Sequence, residues 1–157
     1  MIYLIDANNL AGKMGILREQ DFDKTLINIV RNFFKADNNQ IFLVFDSIDP
    51  LGDRFDDDGV EVIYAPKNEV YNEADEKVIE IAKSLKDKEF TLITDDAEII
   101  KEVKKFSKSV ILKSSLDTAA RIEKKQRREE FEREDEKIDS GIDEDGLARE
   151  LLQEWKR

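Results

Sequence analysis

The chain opens MIYLIDANNLAG (residues 1–12). Four apolar or aromatic residues, Ile2 to Ile5, run without a polar break into Asp6. A short, uniformly apolar run rich in β-formers is how a central parallel strand reads, because both of its faces are covered. Asp6 and the two asparagines behind it, Asn8 and Asn9, then admit two readings. They form a turn, which Asp and Asn suit, or they belong to a site built from oxygen ligands.

Further along, the same sentence is repeated. IFLVF (41–45) is strand-like and ends on Asp46, and FTLIT (90–94) ends on Asp95 and Asp96. VEVIY (60–64) and SVIL (109–112) complete five expected strands. Between them lie helical periods: Phe22, Leu26, Ile29, Val30, Phe33 and Phe34; then Ala74, Val78, Ile79, Ala82 and Leu85; then Ile99, Ile100, Val103 and Phe106. DSIDPLGDRFDDDG (46–59) reads as a polar loop. Strands alternating with helices imply an α/β fold, a parallel sheet covered on both faces.

From Leu116 the character changes. Residues 117–157 are expected to form a charged helical C-terminal extension to a domain spanning 1–116. Apolar residues are sparse there, DSGIDEDG (139–146) reads as a break, and LARELLQEWKR (147–157) reads as a short amphipathic helix with Leu147, Leu151, Leu152 and Trp155 on one face.

Composition narrows the chemistry. The 157 residues include no cysteine and no histidine, which excludes disulfides, thiolate and His-based catalysis, and most zinc sites. Charged residues make up 40% and the net charge is −11, an unfavourable balance for broad, sequence-independent nucleic-acid binding. No apolar run approaches the roughly 18 residues of a membrane span. The opening run is too short, and lacks the basic leader, for a signal peptide. A cytoplasmic protein is expected, with no membrane partner.

Carboxylates are therefore the available chemistry. In open α/β sheets ligands bind outside the C-terminal edge of the strands, so Asp6, Asp46, Asp95 and Asp96 share one rim. Asp75 joins by a separate argument. It precedes Val78, Ile79 and Ala82 by three, four and seven residues, which places it on the sheet-facing side of a helix, in the first turn. Acids crowded together need a cation, and oxygen-only ligands suit Mg²⁺ or Mn²⁺. Each acid also has a plainer role. Asp46 serves as a turn residue, Asp95 with Glu98 fits a capping box, and Glu73, Asp75 and Glu76 complement a helix dipole.

LIDANNL, LVFDS, VEVIYAPKNEVYNEADEKVIE and TLITDDAEI, in this order, resemble the PIN-like nuclease domain, and within it the NYN family with its YacP-like branch. Ala7-Asn8 stands where that branch usually has Gly-Tyr. The resemblance covers roughly residues 1–116. It implies a Rossmann-like three-layer domain with sheet order 3-2-1-4-5, and metal-dependent endoribonuclease activity on mRNA or structured RNA, with the ribosome as a partner. It gives Asp6, Asp75, Asp95, Asp96 and Asn9 as catalytic positions, with metal on Asp6, Asp75, Asp95 and Asp46. Asn9 is expected to orient Asp6 or touch the phosphate, and Asp96 to support the ligands or cap its helix. Lys101, Lys104, Lys105 and Lys113, with Lys108 and KKQRR (124–128), are the candidate RNA contacts. The alternative is an inactive PIN-like module that binds RNA or the ribosome through its tail. A receiver, a DxD phosphatase and a dinucleotide-binding fold fit less well. The third strand ends on Tyr64, Asn8 replaces the second Asp, and no Gly-rich loop follows the first strand.

Overall fold

A computed structural model describes residues 1–47, 51–66 and 74–141, together with Gln153 and Trp155. The chain divides into two compact units, Met1–Arg121 and Ile122–Arg157.

In the first unit, β1 (Ile2–Asp6) passes directly into helix α1 (Ala7–Met14). The expected turn is thus the first turn of a helix. Asp6 is its N-cap, Leu10 and Ala11 bury its inner face, and Gly15 closes it with a left-handed φ of 76°. Helix α2 (Phe22–Phe33) follows, then β2 (Gln40–Asp46), β3 (Asp53–Asp57), β4 (Val60–Ala65), α3 (Ala74–Ser84), β5 (Phe90–Ile93), α4 (Ala97–Phe106), β6 (Val110–Lys113) and α5 (Ser115–Gly141).

The sheet order is β3-β4-β2-β1-β5-β6. The five strands expected from sequence take the expected order, all parallel, and β1 is central between β2 and β5. The sheet differs in detail by a sixth strand. β3 lies antiparallel to β4 inside the stretch that reads as a polar loop. Asp57 pairs with Val60, which leaves Asp58-Gly59 as a two-residue hairpin turn with positive φ at both positions, 48° and 91°. This is the backbone shape that favours Asp-Gly. Gly59 is further constrained, since a Cβ there would come within 2.8 Å of the Ala36 carbonyl oxygen.

Two helical layers cover the sheet. Leu4, Phe42, Val44, Ile63 and Leu92 pack with Val78, Ala82 and Leu85 of α3 and its following turn and with Ile99 and Val103 of α4. Alternate strand residues face the other way. There Phe22 of α2 meets Phe45, whose ring stacks on Tyr64. Helix α3 buries Ala74, Val78, Ile81 and Ala82, with Ile79 only half-buried, so its inner stripe is rotated slightly from the expected one.

The charged stretch is helical as far as Gly141, through the start of the segment expected to be a break. Within the second unit, Lys125 and Arg127 sit opposite Glu129 and Glu123 at i,i+4 spacing, and Phe131 and Ile138 are exposed. Leu147, Leu151 and Leu152 lie outside the described residues; Trp155 is helical and 91% exposed. Among the described residues, no helix is long and apolar enough to cross a membrane.

Candidate functional site

Four helices begin at the C-terminal edge of the parallel strands, and an aspartate caps each one. Asp6 accepts from the backbone N–H of Asn9 in α1, 3.4 Å. Asp46 accepts from Ala74 at the start of α3, 2.9 Å. Asp96 accepts from Glu98 and Ile99 in α4, 2.9 and 3.2 Å. Asp95 accepts from Ser115 and Leu116 at the start of α5, 3.1 and 2.9 Å, one N–H to each carboxylate oxygen. The capping role and the shared rim are therefore both present. A helix start carries partial positive charge, so the rim alternates carboxylates with groups that favour anions.

The four acids are not equivalent. Asp6 is only 5% exposed, and burial lifts its pKa from 3.8 to about 6. The Thr94 hydroxyl donates to its Oδ2 at 3.0 Å and, with the Asn9 N–H, holds the value down, while the charges of Asp46 and Asp96 push it up. The charges of Asp46 and Asp96 thus reach Asp6. Both oxygens of Asp95 accept from the start of α5, whereas Asp96, whose Oδ1 caps α4, exerts its charge on Asp6. Asp75 occupies the first turn of α3, half-buried, beside the buried Ala74.

Thr94, which the TLITDDAEI resemblance includes without giving it a role, joins the site through its bond to Asp6. Its side chain is buried, and its oxygen also accepts from the Asp96 N–H at 3.1 Å. One hydroxyl thereby links two acids. The asparagines are placed differently from expectation. Asn9 reaches Asp6 through its backbone, and its side-chain Oδ1 accepts from the Asp95 N–H at 3.0 Å. Asn8, which had only a turn to explain it, accepts from the Asp46 N–H at 2.9 Å.

Of the candidate RNA contacts, Lys113 ends β6 at the rim and is half-buried. Lys104 and Lys105 lie in the last turn of α4, at its far end from the cap, and Lys105 bonds Glu102 at 2.6 Å. Lys101 and Lys108 are exposed.

The donor set suits a hard divalent cation. It is all oxygen, and its central carboxylate is destabilised by burial and by like charge, both of which a cation would relieve. Among the described residues, no three acidic side chains stand close enough to clasp an ion between them. One or two direct carboxylates with the rest reached through water is the usual Mg²⁺ arrangement.

No curated protein matches the chain significantly. Among solved structures, it is similar to Rae1 (YacP) from Bacillus subtilis, seen as a W164L mutant. Identity is 25%, the match covers 96% of this chain and 89% of that one, and the TM-score is 0.63. The family model for the YacP-like NYN domain matches residues 3–157. The chain belongs to the YacP-like NYN family, a nuclease-type α/β fold.

Proposed function

We propose that the protein is a divalent-metal-dependent endoribonuclease, hydrolysing RNA phosphodiester bonds at the rim around Asp6. One observation carries the reading. The carboxylate that ends the central strand is buried and held by Thr94, and among the described residues the charges that act on it are those of two further acids. Burial and like charge disfavour the ionised Asp6 in the ion-free fold, and a bound Mg²⁺ or Mn²⁺ would relieve both. When bound, the ion supplies an activated water and stabilisation of the leaving oxygen.

Within the chain, Asp6, Asp46 and Asp96 would hold the ion or its waters, with Asp75 adding charge from α3. Thr94 fixes the Asp6 carboxylate by donating to one of its oxygens, which leaves the other lone pairs available. Asp95 acts at one remove by tying β5 to α5. The N–H groups of the helix starts favour a phosphate entering the same rim. The absence of His and Cys leaves neither a thiolate nucleophile nor a histidine base, in keeping with attack by an ion-activated water.

Cleavage of a single-stranded RNA with Mn²⁺, abolished by EDTA and lowered at least about a hundredfold by Asp6→Asn, is the expected result. Cleavage that survives both treatments overturns the reading.

A second reading has its own support. Phe131, Ile138 and Trp155 are exposed apolar side chains in the second unit, which suits a module that docks on the ribosome or an RNA-processing complex in the cytoplasm. A chain ended after Lys125 separates the two. A nuclease keeps cleavage of naked RNA, whereas a docking module loses co-sedimentation with ribosomes and had no cleavage to lose.

A further inference from the structure

The side chains of Asn8 and Asn9 continue the sheet past the end of its central strand. β1 stops at Asp6, which is level with Val44 of β2, and its pairing with β5 ends at Ile5 and Ile93. β2 runs on to Asp46, and past the end of β5 the chain continues through Thr94, whose N–H pairs with the Lys113 carbonyl, to Asp95. Beyond that point an N–H on the β1 side of either strand has no ladder partner. Asn8 Oδ1 takes the one on Asp46 and Asn9 Oδ1 takes the one on Asp95. Adjacent positions on a helix point about 100° apart, so the first turn of α1 reaches one neighbour with each asparagine.

On the Asn8 side the connection goes further. The residue whose N–H is held, Asp46, uses its own Oδ1 to accept from Ala74 N–H. Ala74 is the first residue of α3, and Asp75 is the next. A continuous path therefore leads from the Asn8 amide to the Asp46 backbone, through the Asp46 carboxylate to the start of α3, and so to Asp75. Both acids belong to the rim. A lost acceptor at residue 8 leaves Asp46 N–H unpaired at a strand end, where small rotations move the carboxylate.

We infer that Asn8 is a positioning residue for the cation site, acting through Asp46 to fix the Asp46 carboxylate and the first turn of α3 that carries Asp75. The inference rests on the metal-site reading above and goes beyond it by assigning a role to a residue that touches neither ion nor substrate.

The test is a double-mutant cycle on the full chain. Mn²⁺ affinity is measured by titration calorimetry for wild type, Asn8→Ala, Asp46→Ala and the double variant. Asn8→Ala should weaken Mn²⁺ binding about tenfold, the lower end of the range for residues that orient ligands. In the Asp46→Ala background the same change should do almost nothing, because the group it acts through is gone. Asn8→Asp, which keeps an oxygen in place for the Asp46 N–H, should restore affinity. Unchanged affinity in Asn8→Ala, or effects of the two substitutions that simply add, overturns the inference.

A second measurement needs no metal. Residue-resolved amide exchange on the ion-free protein should show faster exchange at Asp46 and at the first turn of α3 in Asn8→Ala. In Asp46→Ala the acceleration should fall on α3. Unaltered exchange at α3 in Asn8→Ala breaks the path between the two, whatever the metal data show. Wild-type protein that fails to bind Mn²⁺ overturns the metal reading itself, and the positioning role toward an ion falls with it.

Discussion

Asp6 shows at one residue why the site and the fold are in tension. Its pKa of about 6 lies above the ordinary 3.8, so the folded state binds the proton more tightly than the unfolded chain. The sign follows from linkage. Stability due to the neutral form is fully present below pH 3.8 and is lost as pH rises through about 6. Above that, a buried charge remains, at a cost of about 3 kcal/mol for the interval between the two values. Asp6→Asn removes the charge and keeps an acceptor for the Thr94 hydroxyl, although one oxygen becomes an NH₂ that cannot accept from Asn9. The expected net effect is a gain of about 1–2 kcal/mol at pH 8, turning into a loss of about 1 kcal/mol at pH 4, where little of the charge cost remains and the missing acceptor still counts. Urea denaturation at the two pH values checks it, and a variant less stable than wild type at pH 8 refutes it. With Mn²⁺ present the order should change, because only wild type gains stability from the ion.

At the scale of elements, each rim aspartate both starts a helix and contributes to the site, and the two duties can be separated at Asp96. Serine caps helices nearly as well as aspartate. Asp96→Ser should therefore keep the bonds to Glu98 and Ile99, leave stability within about 0.5 kcal/mol, and still lower RNA cleavage about tenfold or more, since it removes a charge that acts on Asp6. Equal loss of stability in Asp96→Ser and Asp96→Ala would mean that serine does not cap here. Full activity in Asp96→Ser would remove Asp96 from the site. That Asp95, and not Asp96, spends both oxygens on α5 shows where sequence reading stops. Apolar runs ending in acids make β1, β2 and β5 legible, and with them the rim, because burial on both faces leaves a compositional trace. Which of two adjacent acids is tied to α5 leaves none, as it depends on where α5 begins, 20 residues after Asp95. The Thr94–Asp6 bond spans 88 residues and is equally silent. β3 was hidden for a different reason: it is an exposed edge whose acids guard it against pairing with another chain. Its one sequence signal was the Asp58-Gly59 turn. Helix α1 was hidden by its brevity and by Asn8 and Asn9, which favour turns until their side chains find strand ends to hold.

Across the whole molecule, the charge of −11 sets how RNA can be held. Proteins that grip RNA or DNA through many phosphate contacts lose affinity steeply with salt, by about 10³–10⁵ between 50 and 200 mM for six to ten contacts on duplex DNA. Among the described residues, few cations stand where they would be needed. Lys113 stands at the rim, while Lys105, Arg127 and Lys125 are matched by Glu102, Glu123 and Glu129. Added salt would screen the general repulsion as much as it weakens those few attractions. The KM for a short single-stranded RNA, measured at saturating Mn²⁺, should therefore change less than about threefold over the same range of salt, in contrast to the behaviour of a many-contact binder. Such a flat profile would place recognition in the ion and the rim for naked RNA, and would leave tight binding in the cell to a partner that brings the RNA with it. A steep profile would instead require an extended basic surface, for which residues 124–128 are the available source. Substituting Lys124 and Arg128, which are exposed and lie outside those matched pairs, should then flatten the profile.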